Sequence, residues 1–218
     1  VQRVSHAAPP FTGRPAGIVI ASVLTACAVV GFLMGGVMGA SSGSGGDSPT
    51  VDAATSEAPW DGAVTQVTAT VVDASCQSDP SRDASGGRVT YDPEFAVDDN
   101  AESAWRCSGD GVGETLVIDL GESVRVAEVG LVPGYAKTDP TDNTDRYAEN
   151  RRLTAVRWRF DDDTTVEQEL DADAKRRDLQ TMRVPVRTTQ QLTMEIVSSS
   201  DADRDTIAVS DLRVSAAS

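Results

Sequence analysis

The 218-residue sequence predicts one transmembrane helix followed by an all-β domain, an antiparallel jelly-roll sandwich of about eight strands. Three observations lead there. Residues 16–40 carry no charge. From Val64 onward apolar and polar residues alternate at period two, the pattern of half-buried strands, and no soluble helical spacing lasts beyond two turns. The short runs are separated by turn residues, which favours two packed antiparallel sheets.

The apolar stretch reads AGIVIASVLTACAVVGFLMGGVMGA. As a helix rising ~1.5 Å per residue it covers ~37 Å, enough to cross a ~30 Å hydrocarbon core with tilt. It is too long for a signal-peptide core, and Met38-Gly39-Ala40 is a poor cleavage site. Leu24-Thr25-Ala26-Cys27 fits the pattern at which lipoproteins are cut and acylated, yet the chain stays apolar for 13 residues beyond Cys27. A retained span is therefore expected. Arg3 and Arg14 precede it, and no Lys or Arg occurs between Ser41 and Arg82. The positive-inside rule puts residues 1–15 in the cytoplasm and the C-terminal domain outside, making a single-pass plasma-membrane protein. Cys27, Gly31, Gly35 and Gly39 recur every fourth residue. Such a row lets a partner helix approach closely, although glycine is also common in membrane helices generally.

The formal net charge is −15, and all 34 acidic residues follow residue 40. With 17 of the 19 basic residues, that outer part carries −17. Such a charge repels phosphate backbones and excludes nucleic acid as a partner. Residues 41–62 are rich in Gly, Ser, Pro, Ala and Asp, with no apolar period, and read as a flexible tether. The domain itself is then residues 63–218, large enough for a real core. Cys76 and Cys107 are the only cysteines outside the span, in an oxidising compartment, so a disulfide between them is expected.

Residues 67–72 read as the first strand, and 115–120 as the second, ended by Gly121. Val124, Val126 and either Val129 or Leu131 form a third, with a bulge near Ala127. Val156, Trp158 and Phe160 alternate with Arg157 and Arg159; Asp161-Asp162-Asp163 turns the chain, and 164–170 returns as a hairpin. Residues 182–186 form a short strand whose Pro185 suits an edge. Leu192, Met194 and Ile196 alternate, as do Ile207 and Val209, then Leu212 and Val214. The 20 residues 133–152 lack periodicity, and a loop of that length is usually functional.

Ala96-Val97-Asp98-Asp99-Asn100-Ala101-Glu102-Ser103-Ala104-Trp105 is followed by the glycine-rich Gly109-Asp110-Gly111-Val112-Gly113. Then comes Leu116-Val117-Ile118-Asp119-Leu120-Gly121-Glu122-Ser123-Val124-Arg125-Val126. This succession resembles the discoidin family, also called coagulation-factor type C or galactose-binding-like. The family's phrase is A-[VI]-D-G-N-x-x-[ST]-x-W, then L-x-[IV]-D-L-G-x-x-x-x-[VI]. Residues 207–212 are similar to its closing strand, and the likeness spans about residues 64–215. The chain also resembles membrane-tethered modules of actinobacterial proteins. The resemblance implies a jelly roll that binds rather than catalyses.

It further implies a structural calcium held by Asp98, Ser103 and Asp211, hard oxygen ligands that suit the ion. Asp99 departs from the family's glycine there. The alternative is that Asp98 caps its turn and Asp211 is solvated. Apart from that calcium no cofactor is expected. Trp105 is assigned to the core. Tyr135, Tyr147, Arg151 and Arg152 are the counterparts of the aromatic and basic residues with which sugar-binding relatives hold ligand. They serve equally as a protein-partner anchor or as loop packing. Asp139, Asp142, Asn143 and Asp145 read as a solvated charge run rather than a cation loop.

Catalysis is not expected. The only histidine is His6, and neither a G-x-S-x-G elbow nor a phosphate loop occurs. Two functions remain: an accessory subunit of a larger membrane protein complex, or a tethered module that binds cell-wall glycan.

Overall fold

The computed structural model describes residues 57–218. The tail, the expected span with Cys27, Gly31, Gly35 and Gly39, and most of the tether lie outside the described residues. No helix among the described residues is long and apolar enough to cross a membrane.

Twelve strands are present among the described residues. The first five are β1 (Val64–Gln66), β2 (Thr70–Ala74), β3 (Ser81–Arg82), β4 (Arg88–Val89) and β5 (Trp105–Ser108). Then come β6 (Thr115–Val132), β7 (Asn150–Arg151), β8 (Leu153–Phe160) and β9 (Thr165–Glu169). The last are β10 (Gln180–Ser199), β11 (Arg204–Val209) and β12 (Asp211–Ala217). A seven-stranded sheet runs β1-β12-β6-β10-β8-β9, with β2 added against β6. A three-stranded sheet, β5-β11-β7, faces it, and β3-β4 is a separate hairpin. The domain is thus an all-β sandwich with largely antiparallel sheets, the β11–β7 pair alone being parallel among the described pairs.

One apolar core fills the space between the sheets. The large sheet contributes Leu116, Ile118, Val129, Leu131, Val156, Trp158, Leu192, Met194 and Ile196, and the small one Trp105, Cys107, Ile207 and Val209. The alternation in 153–160 and 192–196 sorts residues to the two faces as the sequence indicates. The hairpin after Phe160 closes with the Asp163 amide donating to the Phe160 carbonyl. The bulge near Ala127 is also present. β12 skips from Glu128 to Val126, and both Val126 and Ala127 are buried.

Two expectations are corrected. Gly121 does not end a strand. It takes a left-handed φ of 76°, its amide bonds the Asp119 carboxylate at 2.6 Å, and β6 continues through the irregularity. The strand expected over 182–186 is not separate but part of β10, and Pro185 sits in its first half, which pairs with β6 and not with β8, where the register with β6 shifts between Arg183 and Arg187. The missing N–H is accommodated by that gap in the ladder.

Residues 57–62, the end of the expected tether, lie against the large sheet. The Trp60 amide donates to the Val184 carbonyl at 2.9 Å, and Arg183 donates to the Gly62 carbonyl at 2.8 Å.

Cys76 and Cys107 form a disulfide with a Cα–Cα distance of 5.8 Å. It ties the chain before the family loop to β5. Trp105, fully buried, donates its indole N–H to the Cys76 carbonyl at 2.8 Å. On the chain-entropy account, a crosslink across 31 residues stabilises by ~3–4 kcal/mol. Cys76→Ala with Cys107→Ala should therefore lower the unfolding free energy measured in urea by that amount and shift the midpoint down accordingly, as should reduction of the native protein; equal midpoints would show the crosslink to be idle.

Candidate functional site

Period-two alternation puts Trp105 and Cys107 into the core, so Arg106 emerges on the outer face of the small sheet. Its cross-strand partner Ala208 forms the floor beside it. Two walls rise from that floor. One is the β3–β4 hairpin with Tyr91; the other is the loop from Pro133 onward, with Tyr135, Lys137 and Asp139. Together they enclose a cavity of about 150 Å³.

The walls are tightly built. Tyr91 shares a hydrogen bond of 2.6 Å with Ser81 and meets Tyr135 edge-to-face, with centroids 6.3 Å apart. Burial pushes the Tyr135 phenol up to about 12. Asp83 is consumed by its own hairpin, where it accepts from Ser85 and Gly87, and those bonds hold its carboxyl below the usual range. Asp139, only 2 % exposed, accepts from the Thr141 amide at 3.0 Å and from Arg146 at 3.1 Å. The Thr141 amide and the Arg146 guanidinium both depress its carboxyl. Asp145 caps the short helix α1 (Arg146–Glu149) by accepting from Tyr147 and Ala148. Glu149 then joins Arg146 and Arg204, at 2.8 Å each.

Arg106 differs from all of these. It is 9 % exposed, its guanidinium lies 4.6 Å from the centroid of the Tyr91 ring, and its Nε has no hydrogen-bond partner. Among the described residues no carboxylate pairs with Arg106 or Lys137. Burial lowers the Arg106 pKa, opposed by the neighbouring tyrosines and reinforced by the charge of Arg204. Arg106 was absent from the candidates read from the sequence. The signal was there, in a charged residue flanked by a core tryptophan and a disulfide cysteine.

Of the four predicted binding residues, only Tyr135 lines the cavity. The other three are corrected to structural roles. Tyr147 is fully buried and donates its hydroxyl to the Arg176 carbonyl at 2.5 Å, so its face cannot meet a sugar. Gly134 lies against that ring so closely that a Cβ would come within 2.6 Å of it. Arg152 spends its guanidinium on the carbonyls of Ala172, Tyr147, Ala148 and Asn150. Arg151 pairs with Asp205 at 2.6 Å and Asp201 at 3.3 Å. In the 139–145 run Asp142 and Asn143 are exposed as expected, whereas Asp139 is buried in an ion pair and Asp145 caps α1.

Asp98, Ser103 and Asp211 each have protein partners. Asp98 accepts from the Asn100 amide at 3.0 Å and from the Ser103 hydroxyl at 2.6 Å. Asp211 is paired with Arg213 at 2.9 Å, and that guanidinium also lies 3.6 Å from Asp99. A cation is thus already supplied between two carboxylates by the chain. Among the described residues no three His, Cys, Asp or Glu side chains gather to hold a metal. The Asp211 Oδ1 is nevertheless buried without a hydrogen-bond partner, so the set still offers one unengaged oxygen of the hard kind that calcium takes. Asp99 adopts φ 57°, the left-handed region where the family carries glycine and which Asp tolerates.

The family model for the NAD glycohydrolase translocation F5/8 type C domain matches residues 65–215. The chain belongs to that family. The F5/8 type C assignment agrees with the discoidin-like phrase at 96–126. The comparison with curated proteins found no match. Among solved structures, the chain is similar to the family 32 CBM of Clostridium perfringens NanJ in complex with galactose. That likeness has 12% identity over 70% of this chain and 99% of the other, with a TM-score of 0.48. CBM32-3 from a family 31 glycoside hydrolase of the same organism shares 13% over 68% and 91%, with a TM-score of 0.49. A putative chitobiase fragment from Bacteroides thetaiotaomicron shares 12% over 71% and 94%, with a TM-score of 0.49.

The depressed Asp139 carboxyl sets a pH dependence for this F5/8 type C domain's pocket wall. A carboxyl whose folded pKa lies below its unfolded value stabilises above that unfolded value, ~3.9, and loses the contribution as pH falls through the folded pKa. The protection of the Thr141 amide against exchange, relative to the intrinsic rate at each pH, should therefore fall on acidification below about pH 4. Asp139→Asn should remove that step; an unchanged acid profile in the variant would show that Asp139 does not hold the loop.

Proposed function

We propose that this chain is a non-catalytic glycan-binding module held on the outer face of the plasma membrane. The observation that carries the reading is the cavity on the small sheet. Its volume of about 150 Å³ is below the ~300–1,000 Å³ of sites for drug-sized ligands and suits a single ring or terminal group. Its lining joins tyrosine edges to amide, hydroxyl and guanidinium donors, the mixture that orients a polyhydroxylated ligand. Membership of an F5/8 type C family supports a binding rather than catalytic role. The family is named for translocation of an NAD glycohydrolase, and a module that engages a surface is consistent with that name.

The charge-free residues 16–40 support the tether, with the N-terminus cytoplasmic. The Tyr135 hydroxyl has no protein hydrogen-bond partner among the described residues, and Tyr135 lines the cavity, so that hydroxyl is available to ligand. Tyr135→Phe should weaken retention on the glycan that the chain selects from an oligosaccharide array by about 5-fold, the value of one hydrogen bond. Failure of the parent protein to bind any cell-wall glycan on the array would sink the reading.

A second reading, an accessory subunit of a membrane protein complex, has support from Gly31, Gly35 and Gly39 spaced at four. In it the span packs against a partner helix. Gly35→Leu should then reduce co-purification of a stoichiometric membrane partner in mild detergent severalfold, whereas undiminished recovery removes the role given to the row.

A further inference from the structure

We infer that the cavity on the small sheet is a receptor for an oxyanion, a carboxylate or phosphate carried on a sugar, with Arg106 as its fork. This deepens the glycan-binding reading and rests on it. The cavity is lined by five cationic side chains, Arg82, Arg106, Lys137, Arg146 and Arg204, against two carboxylates, Asp83 and Asp139. Both carboxylates are already engaged, Asp83 by its hairpin and Asp139 by Arg146. Arg146 and Arg204 are matched by Glu149. Arg82, Arg106 and Lys137 have no carboxylate partner among the described residues, and of these Arg82 is turned to the Gly86 carbonyl of its own hairpin, to which it donates at 2.8 Å. They form a basic recess in a chain whose net charge is −15.

Arg106 makes this a site rather than a coincidence of surface charges. A buried guanidinium nitrogen without a hydrogen-bond partner, here the Arg106 Nε, is costly, and an orphaned buried polar atom in a native fold calls for a reason. A planar fork reads a carboxylate or phosphate through two parallel N–H···O bonds, and low local polarity strengthens them. Tyr91 lies beneath that fork, its ring centroid 4.6 Å from the guanidinium carbon, within cation–π range. Lys137 stands at the mouth, half-buried, as a second positive charge that tolerates several oxyanion geometries. Neutral hydroxyls alone would leave this charge unanswered.

The test is calorimetric titration of the purified full chain, at low ionic strength, with galacturonic acid, galactose and inorganic phosphate. Galactose and galacturonate share the ring and differ at C6, so their comparison isolates the carboxylate. Galacturonate should bind at least about 10-fold more tightly than galactose, the margin expected of a charge-assisted pair. Arg106→Gln should abolish the preference, Arg106→Lys should keep part of it, and Lys137→Gln should reduce it severalfold. Should Arg106→Gln lose its near-ultraviolet dichroism, Lys137→Gln decides, since that side chain is only half-buried. Equal binding of the two sugars, or a preference untouched by both substitutions, overturns the oxyanion site while leaving glycan binding in place. Arg106-dependent binding of phosphate with no binding of either sugar sustains the oxyanion site, identifies phosphate as its source, and removes the sugar. No binding of any probe overturns both.

Discussion

The three residues Trp105, Arg106 and Cys107 constrain the rest of the structure. A strand presents successive side chains to opposite faces, so placing the tryptophan and the disulfide sulfur in the core forces the arginine outward. The disulfide and the Trp105 indole bond to Cys76 then hold β5 in register against slippage. A shift of one residue would exchange the faces and bury the guanidinium in the apolar core. The position of the cavity is therefore a consequence of how the core closes, and not of the loops that wall it.

Those loops supply what the sheet cannot. An Arg on a bare sheet face would be bathed in solvent. The hairpin at 81–89 and the segment from 133 to 150 rise around it because each is tied to itself. Asp83 knots the first through three donors, and Asp139, Asp145 and Glu149 knot the second through backbone amides and arginines. Several acidic residues of this acidic domain are thus spent on internal order. The formal charge of −15 describes the chain as a whole and says little about the recess, where the remaining charge is positive.

The fold was legible where the signal is local. Alternation over 153–160 and 192–196 survives in any tertiary setting because one face must be dry. Gly121 misled because its usual meaning assumes an unbroken ladder, and it lies at a register shift of a long central strand; the run at 182–186 misled because it continues past Pro185 into β10. The site was legible only in part. Tyr147 and Arg152 have the composition of a sugar platform, but Gly134 opens a slot that swallows the tyrosine, and orphan carbonyls of α1 capture the arginine. Arg106 carries the opposite lesson. Its type and spacing are ordinary; only the identity of both neighbours reveals where it points.

The remaining question of physics is why an unpaired guanidinium is kept under Tyr-lined walls. Packing alone does not require it. The space beside Ala208 could be filled by an apolar side chain, with no desolvation penalty and no orphaned Nε. Nor does long-range attraction require it, since a domain this acidic repels anions until they come within about a Debye length, ~8–10 Å, of the recess. Both costs disappear at contact, where the two parallel N–H donors meet an oxyanion in a site from which much of the water is already excluded. The arrangement sacrifices capture at a distance and folding stability in favour of discrimination at close range, which is the balance expected of a recognition site and not of a structural arginine.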